Sequence, residues 1–364
     1  MKNQGHPKAV YFLSTVMMWE RFSYYGMRAI LVLFMASFLH FSTQTLGNVY
    51  GYFTGFVYLT PLIGGYISDR YWGSTKTTII GSWVLVIGQF LMSIMAFKYS
   101  SITITLFYMS MGLIIIGNGL FKPCLSSLVG DFYEPNDPRC DGGFTILYMG
   151  VNMGAFFSPL VCGYLGQRVG WGWGFFASGV GMLIGATLLL WGKKKYLGDK
   201  GSCSAKTSQK NTSKTTTCNE NKPLTKQDKQ KIAVIFILTF FSIFFWAAFE
   251  QAGTSLTLFA ENSTNRFIPI INFEVPASWF QSLNPLFIFL LAPVFSNLWI
   301  KLANVKREPS TPAKFVWSLF LVAGGFVLMI FAAFFGKIYG SVSMLWLVGA
   351  YFLHTIGELC TSPV

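Results

Sequence analysis

The chain alternates long apolar runs with short polar ones, and the lengths of the apolar runs decide its class. Ten such runs fall near residues 9–37, 44–68, 77–97, 102–130, 142–166, 171–192, 230–260, 277–301, 312–336 and 341–364. Each is about 20 to 30 residues long. At about 1.5 Å per residue a helix of that length crosses a hydrocarbon core about 30 Å thick, whereas buried helices of soluble proteins are usually shorter. Glycine and proline inside the runs (Gly47, Gly51, Gly55, Pro61, Pro123, Gly150, Gly154, Pro159, Pro285) fit close-packed or kinked membrane helices rather than strands. The first run follows Lys2 and Lys8 as a signal peptide would, but it is too long for one and carries charges in its middle, so it is read as a retained helix.

Composition supports this class. Only 11% of residues are charged and 53% are hydrophobic, against about 25% charged in an ordinary soluble domain, so polar surface is too scarce to cover a water-soluble globule. The net charge of +13 would suggest a nucleic-acid partner if it were spread over one surface. With a cytoplasmic N-terminus, however, twenty of the 27 lysines and arginines fall on the cytoplasmic side, while Lys98, Arg168, Arg266 and Lys337 fall on the other. That asymmetry is the positive-inside bias. It predicts a multi-pass protein of the inner (plasma) membrane, in contact with lipid, and needs no nucleic acid. The six cysteines show no CxxC spacing, so reduced thiols and no metal site are expected.

Residues 193–229 are rich in Lys, Ser, Thr, Asn and Gly and cannot bury enough surface to fold alone. They divide the chain into a six-helix half, 1–192, a disordered cytoplasmic linker, 193–229, and a four-helix half, 230–364. The halves repeat: Glu20 to Asp69 matches Glu250 to Asn297 in spacing, and GYISDRYW (65–72) aligns loosely with APVFSNLW (292–299). Two parallel six-helix repeats joined by a long linker resemble the layout of major facilitator transporters, which hold substrate near the bilayer midplane. The expected architecture is therefore an all-α membrane protein of the major facilitator fold. Val364 ends the tenth run with no polar tail, so the expectation is a chain truncated to about ten transmembrane helices.

Six ionisable residues lie inside the apolar runs: Glu20, Arg21, Arg28, Lys122, Glu250 and Glu358. Each costs about 2.5–3.5 kcal/mol at a helix centre on insertion scales, so six together mark function. Depth along the helices pairs Arg28 with Glu250 and Lys122 with Glu358, and a salt bridge that forms in one state and opens in another suits alternating access. Snorkelling of Lys122 toward the helix end, about 12 Å away, and static ion pairs that lock helices together are competing readings. Glu20 and Arg21 are not expected to form a local pair, because helix neighbours do not face each other. Arg21, Tyr24 or Tyr25, and Arg28 share a helix face suited to gripping a carboxylate. Asn152 and Asn284 either hydrogen-bond a peptide group or join helices.

Several segments carry a family resemblance: WERFSYYGMR (19–28), GGYISDRYWG (64–73), NGLFKPCLSSLVG (118–130), FTILYMGVNMGAF (144–156), GWGWGFFASGVG (170–181), FWAAFEQAGTSLTLFA (245–260), WFQSLNPLFIFLL (279–291) and HTIGELCTSPV (354–364). In this order they resemble the proton-dependent oligopeptide transporters. The resemblance implies that Arg21 and Lys122 hold a peptide carboxylate and Glu358 the peptide ammonium. Tyr24, Tyr25, Asn152 and Asn284 would line the pocket, Arg28 and Glu250 would form an outer gate, and Asp69 would hold helices on the cytoplasmic side. Glu20, Glu358 and His354, one turn before Glu358, are candidates for proton coupling. The family pattern ExxER in the first helix has Met17 at its first acidic position here. Three acids then balance three bases, which weakens the expectation of proton coupling.

The function expected from these features is proton-coupled symport of di- and tripeptides, with the proton as coupling ion and no other cofactor. Alternatives are carriage of nitrate or an amino acid, or a non-transporting sensor or remnant. No nucleophile and base pair, metal cluster or phosphate loop points to an enzyme.

Overall fold

A computed structural model describes residues 5–134, 137, 139–198 and 226–361. The chain divides into two compact units, Met1–Ser213 and Lys214–Val364. Most of the expected linker, residues 199–225, lies outside the described residues, as do Cys203 and Cys218. At both edges of that segment helix extends further than composition indicates, over Lys193–Leu197 and from Lys226 onward. A helix leaving the apolar layer continues while its backbone bonds are satisfied, so a switch to polar side chains does not by itself end it.

The first unit is built from α1 (Lys8–Ser37), α2 (Thr43–Ile67), α3 (Ser74–Phe97), α4 (Thr103–Gly130), α5 (Cys140–Tyr164) and α6 (Trp171–Gly192). Helix α1 is its axis. Twenty of its 30 residues are buried, on every face, by packing against α5 and α6. The contact with α5 depends on glycine: a Cβ at Gly150 would stand 2.6 Å from the Ser14 carbonyl oxygen, and one at Gly154 would meet the Met18 carbonyl and lie 2.9 Å from the Phe22 nitrogen. Small residues at i and i+4 thus let two backbones touch where apolar burial gives no drive for helices to associate. Around this axis α3 packs on α4 and α6, and α2 on α4. Helices α2, α5 and α6 each end in a π turn, the first of them (Ser68–Trp72) closed by Gly73 at φ 74°.

The second unit holds α7 (Lys226–Phe249), α8 (Ser255–Ser263), α9 (Leu283–Asn304), α10 (Thr311–Tyr339) and α11 (Leu345–Thr361). The seventh apolar run, expected as one helix, is broken: a 3₁₀ turn over Glu250–Gly253 and Thr254 at φ −123°, ψ −90° separate α7 from α8. Side chains stabilise the break. Gln251 Oε1 accepts hydrogen bonds from Thr254 Oγ1 at 3.0 Å and Ser255 Oγ at 2.6 Å, and the released Ala252 carbonyl accepts from Thr257 Oγ1 at 2.7 Å and Tyr351 OH at 3.3 Å. A broken helix is tolerated at membrane depth when its freed backbone groups find such partners.

Two-residue strands, not expected from sequence, join the connections: β1 (Thr264–Asn265) pairs in parallel with β4 (Val342–Ser343), and β2 (Phe267–Ile268) pairs antiparallel with β3 (Phe273–Glu274). Buried Arg266 pins this segment through Glu261 at 3.0 Å, Glu274 at 3.4 Å and the Val275 carbonyl at 2.8 Å. Among the described residues, each of the ten apolar runs is mostly helical, with β4 opening the last. Seven spans are long and apolar enough to cross a membrane. The others depart for visible reasons: α1 carries four charges, α2 is rich in Thr, Tyr and Gly, and α11 has 17 described residues.

Candidate functional site

In the first unit the site begins with a departure from expectation. Arg21 grips Glu20 in a two-pronged ion pair, Nε to Oε2 at 2.6 Å and Nη2 to Oε1 at 2.9 Å, with Glu20 1% and Arg21 4% exposed. The expectation that these neighbours do not pair is therefore corrected. Adjacent Cβ atoms point about 100° apart, but the long arginine stem bends around the helix. Both groups are buried, so the attraction across that short arc is poorly screened and favours the pair. Two of the five guanidinium donors of Arg21 are committed to Glu20, and any substrate carboxylate must use the remainder.

The same guanidinium lies over two phenols, 5.4 Å from the Tyr24 ring and 5.8 Å from that of Tyr25, and Arg28 lies 5.2 Å from the Tyr25 ring. Spacing on α1 left open which tyrosine joins the arginines, and both do. Tyr24 is buried and also stacks on Phe53 of α2, with centroids 6.5 Å apart, while Tyr25 is half-buried between the two cations. Met17 is buried at 5% exposure, one turn before Arg21.

Lys122 on α4 is half-buried, and its Nζ sits 4.6 Å from the Tyr58 ring of α2. Tyr58 is nine residues from the Ile67 end of α2, about 13 Å at helical rise, so the ammonium is held deep against an aromatic face rather than drawn to the helix end. Spacing along the chain gave no signal for Tyr58, because it belongs to a different helix. Asn152 on α5 is buried and donates to the carbonyl of Tyr148 in its own helix at 3.0 Å. Asp69 is exposed on the π turn that ends α2.

In the second unit Asn284 and Glu358 meet. Asn284 Nδ2, in the first turn of α9, donates to Glu358 Oε2 at 2.8 Å and to Thr355 Oγ1 at 3.2 Å, and Thr355 Oγ1 donates to the Tyr351 carbonyl at 2.7 Å. Asn284 thereby joins two helices, one of the two roles the sequence had left open, and also holds a carboxylate, which the sequence had not indicated. Thr355, three residues before Glu358, was missed, although its position on the same face is the kind of signal that finds such a partner. His354 is 2% exposed, tilted on Phe326 at 5.0 Å, and packed so tightly against α10 that a Cβ at Gly325 would stand 2.5 Å from Nε2. Its Nε2 is buried without a hydrogen-bond partner among the described residues. Glu250 is half-buried at the first position of the 3₁₀ turn that interrupts the seventh run.

With Glu20 and Arg21 closed on each other, the intramembrane charges partition by unit: Arg28 and Lys122 in the first, Glu250 and Glu358 in the second.

Comparison with known proteins identifies the family. The model of the POT family (PTR2) matches residues 75–222 and 197–364. An uncharacterized transporter, YclF, of Bacillus subtilis strain 168 is 36% identical over 407 residues, covering 99% of this chain and 80% of the relative. The peptide transporter YePEPT of Yersinia enterocolitica subsp. palearctica is also 36% identical, over 419 residues, covering 99% of this chain and 81% of the relative. Among solved structures, a mutant of a peptide transporter POT in complex with alafosfalin superposes with a TM-score of 0.80 at 31% identity, covering 99% of this chain and 81% of that one. The chain therefore belongs to the POT family of transporters, a multi-pass membrane protein with the major facilitator fold.

Proposed function

We propose that the protein carries di- and tripeptides inward together with protons, across the inner (plasma) membrane, by alternating access, with its N-terminus cytoplasmic. The observation that carries this reading is the partition of charge. Two cations beyond the Glu20–Arg21 pair lie in one unit and two carboxylates in the other, which matches a zwitterion whose ends are read separately. A dipeptide puts its charged ends about 7 Å apart at some 3.5 Å per residue. Lys122 and Arg21 take the carboxylate, Glu358 takes the ammonium, and Tyr24, Tyr25, Asn152 and Asn284 shape the pocket. Arg28 and Glu250 work as a gate, and Asp69 steadies the cytoplasmic ends. The match to a peptide transporter at 36% identity supports the substrate class.

The proton is the coupling ion and no other cofactor is needed, nor is any bond made or broken in the substrate. Glu358, held by Asn284, and His354 one turn away are the proposed carriers, with Glu20 committed to Arg21. The test is competition against uptake of a labelled dipeptide by dipeptides with a blocked carboxyl or amino end. Blocked forms are expected to compete far more weakly than the free dipeptide, because each blocked terminus forfeits a charge-assisted hydrogen bond, about 1.5–3 kcal/mol. Equal competition by blocked and free forms would overturn the two-ended reading, and competition by nitrate or a single amino acid alone would replace the substrate.

A further inference from the structure

Asn118 on α4 has no part in the reading above, yet it is 1% exposed. Its Nδ2 donates to the Ile114 carbonyl at 3.1 Å, which fixes the orientation of the amide, and its Oδ1 is buried without a hydrogen-bond partner among the described residues. Buried acceptors are rarely left so, and in a protein that cycles between conformations a group orphaned in one is a candidate to be paired in another.

The backbone around Asn118 indicates the partner. Residues 117–119 are clamped: a Cβ at Gly117 would lie 2.9 Å from the Leu85 nitrogen of α3, and one at Gly119 would lie 3.0 Å from the Thr60 carbonyl of α2. Immediately beyond, Pro123 has no N–H to give the Gly119 carbonyl, so α4 is weakest between a fixed Asn118 and Lys122. Side chains of a helix lean toward its N-terminus, which brings the Lys122 stem back over position 118. In this structure the Lys122 ammonium is at Tyr58 instead, 4.6 Å from the ring.

We propose that Asn118 is a positioning residue for Lys122: its Oδ1 accepts the Lys122 ammonium in the part of the cycle in which no substrate carboxylate is bound, with α4 bending at Pro123 to bring the two together. This rests on the reading of Lys122 as the carboxylate-binding group. The hydrogen bond stabilises the empty carrier as it resets, a step that net uptake requires and that exchange of internal for external peptide bypasses.

The test compares net proton-driven uptake with counterflow of the same labelled dipeptide, in liposomes holding the native protein, Asn118→Leu (similar in size, no acceptor) or Asn118→Thr (acceptor kept). The expected result is a loss of net uptake in Asn118→Leu of about tenfold or more, as for one hydrogen bond to a charged group. Counterflow should stay within about twofold, and Asn118→Thr should recover most of the net uptake, by the same estimate. Parallel loss of uptake and counterflow in Asn118→Leu would make Asn118 a structural residue and overturn the proposal, as would unchanged net uptake. Absence of peptide counterflow in the native protein would instead overturn the transport reading on which the proposal stands.

Discussion

At the scale of single residues, Glu20 and Arg21 are closed on each other, and the gate proposed for Arg28 and Glu250 can be tested by charge. If Arg28 and Glu250 form the gate, neutralising either one impairs uptake and exchanging the two charges restores part of it; an Asn or Gln at position 250 that transports normally would end the idea. Met17→Glu belongs to the same scale. Met17 is buried three residues before Glu20 and four before Arg21, so a carboxylate there shares their face and competes for a guanidinium already engaged. Two carboxylates contending for one cation raise the affinity of one of them for a proton, and the variant is expected to move more protons per peptide than the native protein. Measured proton uptake per labelled peptide checks this, and an unchanged ratio would mean that a carboxylate at position 17 adds no titrating group to those proposed at Glu358 and His354. The sequence disclosed which residues are charged within the membrane, because their cost is a property of residue type. It did not disclose the Glu20–Arg21 contact, since side-chain conformation at a buried position overrides a spacing rule drawn from exposed helices, nor Tyr58 beneath Lys122, which lies on another helix.

At the scale of elements, the packing of α1 on α5 depends on Gly150 and Gly154, and a substitution there tests it. Gly154→Val would drive atoms into the α1 backbone at Met18 and Phe22. Overpacking of this kind costs about 1–3 kcal/mol, occasionally more, so the detergent-solubilised variant is expected to melt well below the native protein. Gly55→Ala in α2, where nothing lies within 4 Å of the new Cβ, is expected to leave melting unchanged. Equal melting of the Gly154 variant and the native protein would mean that the two helices do not touch as described. Helix positions were legible because a span of about 20 apolar residues has few other solutions in a bilayer. The interruption after Glu250 was not, since Gln251, Thr254 and Ser255 become breakers only through hydrogen bonds to one another.

At the scale of the whole molecule, the positive-inside bias, the two units and the family match support one account, in which a carrier reads both ends of a peptide and couples its entry to protons. The segregation of cations and acids was not legible in the sequence and emerged only once Glu20 and Arg21 were found to pair. The measurement that tests the account most directly is accumulation of a labelled dipeptide by proteoliposomes whose exterior is more acidic than their interior. The account predicts that label rises above its external concentration, collapses when a protonophore dissipates the gradient, and is chased out by excess unlabelled dipeptide. Uptake that ignores both the proton gradient and the competing dipeptide would contradict it.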